Sequence, residues 1–324
     1  MKPISTDTLE ALPGLNEQAS GRLAKLPQER ADVGELRVPA QLIARVALYL
    51  LLSLLALLFI FPFIWSFLTS VKSEAEVFDQ AVILPAVWHF DNYRKAILSY
   101  NLLRYLFNSS YVSVVVTLAH LLLASTAGYA FARLHFPGRN LLFVAIIATL
   151  MMPSQATLVP LFILVKQWPL LGDNDIWGQG GFGMLDSYWA LTVPMFATAY
   201  GTFLLRQFFL TLPADLEDAA RIDGTSEFGI YWRIALPLSG PALATLAIFS
   251  FQSMFNDFVW PLVIARSDEL KTIQVGLAQF RREGTTDWTL LMAGTMIATI
   301  PILIVFMLGQ RYFTQGIALT GIKG

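Results

Sequence analysis

Apolar and polar positions alternate along this chain in blocks the size of membrane spans. Crossing a bilayer core takes about 20 residues, and six runs reach that scale: Val46–Val71, Tyr105–Ala132, Asn140–Val165, Ser187–Leu205, Gly240–Ala265 and Trp288–Gln310. Only Asp257 interrupts them with a charge. Backbone groups in hydrocarbon must be satisfied within the segment, so the runs predict helices. The expected fold class is an all-α polytopic membrane protein with six transmembrane helices. The first run is too long and starts too late for a signal peptide, so it reads as a retained first span. Residues 1–42 are polar with scattered prolines (Pro3, Pro13, Pro27, Pro39) and read as a flexible cytoplasmic tail before a transmembrane domain over 43–324.

Basic residues set the orientation. Arg37 and Arg45 precede the first run, and Arg133 and Arg139 flank the short loop after the second. By the positive-inside rule both termini are cytoplasmic, and so is the long polar segment Leu212–Pro237. The Lys and Arg bias over the whole chain is weak and agrees with this. Tyr49, Trp65, Tyr188, Trp189, Trp288 and Tyr312 fall near span ends, where such rings anchor at the interface.

Leu212–Pro237 is polar and helix-forming. Pro213 suits the first turn of a helix, where its missing N–H costs nothing. Asp215, Glu217 and Asp218 fall in that turn, beside the positive end of the helix dipole. Ala219 and Ala220 are strong helix formers. Gly224, just past Asp223, suits the left-handed conformation that closes a helix. A second helix is expected over Thr225–Leu236, stopped by Pro237. This elbow reads as a docking element. The alternative, an amphipathic helix lying on the bilayer, usually carries basic residues, whereas this one starts acidic.

Composition narrows the chemistry. The chain is 56% hydrophobic and 14% charged over 324 residues, against about a quarter charged in soluble domains. A net charge of −1 gives no footprint for nucleic acid. There is no cysteine, which removes disulfides and thiolate chemistry, and His89, His120 and His135 are scattered. The chain contains no G-x-x-x-x-G-K-[ST], H-E-x-x-H or G-x-S-x-G. The reading is therefore a transport subunit with no cofactor of its own and no enzymatic activity.

The elbow resembles the EAA loop of ABC importer permeases: Glu-Ala-Ala, three residues, Gly, nine residues, Ile-x-Leu-Pro. The pattern falls on Asp218, Ala219, Ala220, Gly224, Ile234, Leu236 and Pro237, with Asp218 for the usual Glu and Glu217 beside it. Further likeness lies in Phe90–Tyr93, Arg104–Ser109, Met152–Gln155 with Pro160–Phe162, Gly201–Phe209, Phe255–Leu262, Gly276-Leu277, Asp287-Trp288, Gln310–Phe313 and Gly321–Gly324. Phe255 stands where that family often has Trp. The resemblance runs from about residue 45 to the end. It is strongest to the sugar-importing branch, in particular the smaller permease of maltose-type oligosaccharide importers.

That resemblance implies the ABC importer permease (MetI-like) fold in the plasma (inner) membrane. It implies a coupling helix that fits a groove on a cytoplasmic ABC ATPase dimer, through Glu217, Asp218, Ala219, Ala220, Asp223, Gly224, Ile234 and Pro237. ATP and Mg would sit on that partner. A second permease subunit and an extracytoplasmic solute-binding protein complete the implied assembly, with no nucleic acid. The Gly316–Gly324 ending is expected to touch the ATPase pair.

Polar groups at membrane depth are costly and tend to be functional or paired. Gln155, Gln252, Asn256 and Asp257 are candidates to border a solute path, since amides and carboxylates suit hydroxyl-rich solutes. Asp257 equally suits pairing with a neighbouring helix or a place near the interface. His120 has no acidic partner within its run, which favours a helix–helix hydrogen bond over a proton relay. Pro153, Pro194, Pro261 and Pro301 are expected to interrupt spans. The Gly-rich loop Lys166–Asp186 is either a reach toward a binding protein or an exposed connector. A stand-alone ion-coupled carrier would need acids related by internal repeats, and only Asp257 qualifies. A membrane scaffold is a third class.

Overall fold

The computed structural model describes residues 37–79, 81–282 and 285–320. Each predicted run is largely helical, but not as six unbroken spans. In chain order they are α1 (Arg37–Ser70), α2 (Glu74–Phe78), α3 (Asp91–Ser99), α4 (Leu102–Arg133), α5 (Arg139–Ala148) and α6 (Ser154–Lys166). They continue as α7 (Tyr188–Thr192), α8 (Ala199–Thr211), α9 (Ala214–Ile222), α10 (Glu227–Ile230), α11 (Leu236–Leu238) and α12 (Gly240–Phe255). α13 (Val259–Ile264), α14 (Ile273–Ala278) and α15 (Trp288–Thr320) complete the set. A two-residue ladder pairs β1 (Arg281–Arg282) with β2 (Thr285–Thr286) in antiparallel register.

Residues 37–42 belong to α1 and not to the tail, while the tail before them lies outside the described residues. The same holds for Gly321–Gly324 of the C-terminal ending; Gly316–Thr320 continue α15. The chain divides into two compact units within α1, Met1–Pro62 and Phe63–Gly324. In the first, the side chains of Leu42–Phe61 are exposed and almost all apolar, a surface suited to hydrocarbon.

Three of the predicted spans are single helices long and apolar enough to cross a membrane: Leu42–Ser70, Leu102–Arg133 and Trp288–Gln310. The third predicted span bends by 105° between Met151 and Ser154, at Pro153. The fourth is divided: α7 and a 3₁₀ turn at Val193–Met195, which contains Pro194, precede α8. The fifth stops at Phe255 and restarts at Val259. Pro301 does not interrupt its helix; α15 runs through it.

α4 is the axis of the second unit. Near its start Leu102 and Tyr105 pack with Phe251, Phe255, Ile273 and Phe280. Midway Val112 and Val116 join Val165, Leu191, Trp260 and Ile264. Toward its end Ala124 and Tyr129 meet Leu205, Phe209, Ile230, Tyr231 and Leu246.

Polar side chains lock these layers. Asn92 Nδ2 donates to the Ser70 and Lys72 carbonyls, both at 3.0 Å. Asn108 is fully buried, its Nδ2 donating to Glu269 O and Lys271 O at 2.8 Å and its Oδ1 accepting from Tyr188 at 2.6 Å. Every group on that amide is occupied, as a buried amide requires. His120 makes the helix–helix contact expected of it: Nε2 lies 2.7 Å from Met195 O and Nδ1 2.9 Å from Ser250 Oγ. A carbonyl only accepts, so Nε2 carries the proton and Nδ1 accepts from the Ser250 hydroxyl.

The Lys166–Asp186 loop is braced rather than loose. Asn174 Nδ2 donates to Lys166 O and Trp168 O, and its Oδ1 accepts from Gly181 N at 2.8 Å. Gly183 has φ +61°, and a Cβ there would meet Lys166 O at 2.3 Å. Asp186 Oδ1 accepts from Arg266 N and Ser267 N, tying the loop to the segment after α13.

Asn108→Leu removes one amide and leaves the Lys271 carbonyl and the Tyr188 hydroxyl without that partner, while Glu269 O keeps its bond from Arg104 Nε. The expected cost is about 1–3 kcal/mol, seen as an earlier thermal unfolding midpoint in detergent. An unchanged midpoint would show that the brace adds nothing to stability.

Candidate functional site

The elbow between α8 and α12 is built from local rules. Pro213 stands at the N-cap of α9 (φ −59°, ψ 128°), one position earlier than its expected place in the first turn. Asp215 and Glu217 occupy the first turn, where the helix dipole favours acids. At the other end Gly224 takes φ +78°. Its N–H bonds to Arg221 O at 3.0 Å, and the Thr225 N–H bonds to Ala220 O at 2.9 Å. This is the paired closure that needs a left-handed residue after the cap.

Ser226 starts the second arm, its Oγ accepting from Gly229 N at 3.3 Å. That arm does not end at Pro237. α10 passes into a π-helical turn, Tyr231–Ala235, then into α11, which contains Pro237. Proline lacks an N–H and crowds the carbonyl four residues back, here Arg233; the wider π turn lies at that point. The 76° bend comes after Leu238, where α12 takes over.

The face that α9 turns inward carries Glu217 and Ala220, which are buried. Glu217 is only 3% exposed. Its Oε1 lies 3.1 Å from Arg133 Nε at the end of α4, and its Oε2 lies 3.4 Å from Arg221 Nη2. The Arg133 Nε–H is not aligned for a hydrogen bond, so that contact is ionic. The outward face carries Asp215, Leu216, Asp218, Ala219, Ile222 and Asp223, with Ile222 87% exposed. Gly224 and Pro237 are exposed, and Ile234 is half-buried. Of the residues expected to contact a partner, Glu217 and Ala220 therefore face the chain itself.

Arg221 gathers the acids. Its Nε lies 2.8 Å from Glu227 Oε1 and its Nη1 2.8 Å from Asp218 Oδ1. The hydrogen bond to Glu227 is the main cause holding this guanidinium above its ordinary pKa. These contacts are solvated and individually weak. Tyr129 Oη adds a 3.4 Å contact to Glu227 from α4.

The candidate path residues do not form one cluster. Asn256 caps α12, its Nδ2 donating to Gln252 O at 3.0 Å, and its Oδ1 accepts from Gln274 Nε2 at 3.1 Å. Asn256 and Gln274 line a cleft of about 400 Å³ with Arg281, Thr295 and Thr299. Asp257 lies in the break between α12 and α13, with Oδ1 3.5 Å from Trp260 N. It meets the start of the next helix instead of a charge on a neighbouring one. Gln155 sits in the first turn of α6, exposed and 3.4 Å from Ser154 Oγ.

Sequence reasoning used Arg133 and Arg221 only for orientation, and it passed over Gln274, Thr295 and Thr299. The Glu217–Arg221 spacing of four residues was a legible pairing signal.

A model of the family described as "Binding-protein-dependent transport system inner membrane component" matches residues 121–319. The arabinooligosaccharides transport system permease protein AraQ of Bacillus subtilis is 33% identical over 284 residues, covering 86% of this chain and 96% of that protein. The lactose transport system permease protein LacG of Rhizobium radiobacter is 31% identical, covering 83% of this chain and 93% of that one. Among solved structures, a bacterial ABC transporter involved in import of the acidic polysaccharide alginate aligns with a TM-score of 0.71 at 24% identity, over 85% of this chain and 98% of that chain. At that identity the likeness concerns the fold.

Gly224→Val forces a β-branched residue into the left-handed region at about 1–2 kcal/mol. Amide exchange over Ala214–Ile222 should quicken about 5–30-fold while α4 keeps its protection. Unchanged exchange would show that the closure is not held by this glycine.

Proposed function

The chain belongs to the family of binding-protein-dependent transport system inner membrane components, and on that premise we propose that it is the permease subunit of an ATP-driven sugar or oligosaccharide importer. The observation that carries the coupling half of this reading is the elbow. It is held from beneath by ionic contacts and presents Leu216, Ala219 and Ile222 outward among Asp215, Asp218 and Asp223. A rigid helix with a small apolar crest and an acidic rim suits a groove with a basic edge on a partner protein. The partner is a cytoplasmic ABC ATPase dimer that holds ATP and Mg. A second permease and an extracytoplasmic solute-binding protein complete the assembly. ATP binding favours the closed ATPase dimer, and its differential affinity for two arrangements of the spans drives alternating access.

The solute class rests on the relatives, whose names include arabinooligosaccharide and lactose transport. Similar chains also serve sn-glycerol-3-phosphate transport, as in UgpE of Brucella abortus at 30% identity. The cleft beside Asn256 and Gln274 offers amide groups to a hydroxyl-rich solute, with Gln252 one turn away. Gln155 and Asp257 are further candidates on the same path. Breaks in the third, fourth and fifth spans provide the bending points that such motion needs. Among the described residues Asp257 is the acid within the apolar runs, and it lies at a helix start with Oδ1 3.5 Å from Trp260 N, which gives a stand-alone carrier no related pair of acids.

Co-purification tests the docking. The tagged chain should recover an ABC ATPase from its native membranes. Ile222→Asp should cut that recovery about tenfold or more, as hot-spot losses of 2 kcal/mol and above do, without lowering the yield of the permease. Equal recovery with Ile222→Asp would remove the crest from the interface.

A further inference from the structure

We infer that Arg133 is a positioning residue, the clamp through which movement of α9 reaches two spans at once. This rests on the importer reading above. Arg133 is the last residue of α4. Its Nη2 donates to Phe209 O at 2.7 Å and to Leu212 O at 2.5 Å. These carbonyls belong to the end of α8, where helices leave acceptors unsatisfied and favour a cation. Its Nε faces Glu217 of α9 at 3.1 Å. One guanidinium thus joins the ends of α4 and α8 to the inward face of α9.

The surroundings make the junction stiff. The Arg133 side chain is 13% exposed and that of Glu217 4%, so water screens the contact less than it does the outer Arg221–Asp218 pair, whose Asp218 is 64% exposed. Leu205, Phe209 and Ala220 pack in the same apolar cluster, so the ionic contact and the core move together. A displacement imposed on the outward face of α9 by a partner therefore passes to α4 and α8 rather than being lost in a loose loop. The fork matters as well as the charge. A lysine supplies a single point charge and lacks the separate Nη2 and Nε groups that here reach the carbonyls and the carboxylate.

The test separates clamp from motor. Amide exchange over Ala214–Ile222 in the full-length chain, in nanodiscs without any ATPase, reads the clamp alone. Arg133→Gln should raise it about tenfold, Arg133→Lys by less, and Arg133→Gln with Glu217→Gln no more than the larger single change. Unchanged exchange in Arg133→Gln overturns the clamp whatever the importer reading does. In the reconstituted complex, Arg133→Gln should assemble and hydrolyse ATP but move about tenfold less solute per ATP. Normal solute per ATP would overturn the positioning role. So would an equal fall in assembly and hydrolysis for Gln and Lys, since that marks plain structural support. A clamp that behaves as described in a chain that recruits no ATPase would count against the importer reading instead.

Discussion

A carboxylate shut away from water dictates the shape of the elbow. Glu217 is 3% exposed and lies between Arg133 and Arg221, and a buried charge of this kind persists only with its partners in place. That requirement fixes which face of α9 turns inward, and the rest of the elbow follows from the choice. Ala220 is carried into the core beside Phe209 and Tyr231. Leu216, Ala219 and Ile222 are left outside. Gly224 then reverses the chain within two residues, so α10 returns along the end of α4.

The same economy of polar groups runs through the apolar part. Asn92, Asn108 and His120 each join separate elements by side-chain hydrogen bonds. Asn256 and Asp257 meet backbone groups where the fifth span breaks. Polar residues between the helices hold them in register, and one pair, Asn256 with Gln274, also opens onto a cleft. Alternating access, as proposed for this chain, would need both: rigid junctions that move as units, and breaks between them.

Much of this was legible in the residues. Uncharged runs located the helices because hydrocarbon leaves no alternative. Gly224 after Asp223 marked the turn, and the alanines marked the helix before it. Pro153 and Pro194 marked two of the breaks. The third was misplaced at Pro261, which lies inside α13, because hydropathy averages over Phe255–Val259, where one Asp and one Asn end a helix that the window reads as continuous. Pro237 misled in the other direction, because the helix widens into a π turn and continues through α11 across that proline. The role of Glu217 was the least accessible. An acid in a first turn reads as solvated, and its partner Arg133 lies far off in sequence, known only once α4 and α9 are brought together.

The absence of cysteine from the chain permits a direct measurement. A single cysteine in place of Ile222, carrying a short thiol-reactive cross-linker, should join to a separate ATPase polypeptide and should be blocked by an impermeant reagent applied only from the cytoplasmic side. A cysteine in place of Trp177, on the braced loop, should be blocked only from the other side. Labelling of position 222 from outside, or products confined to lipid, would contradict the account.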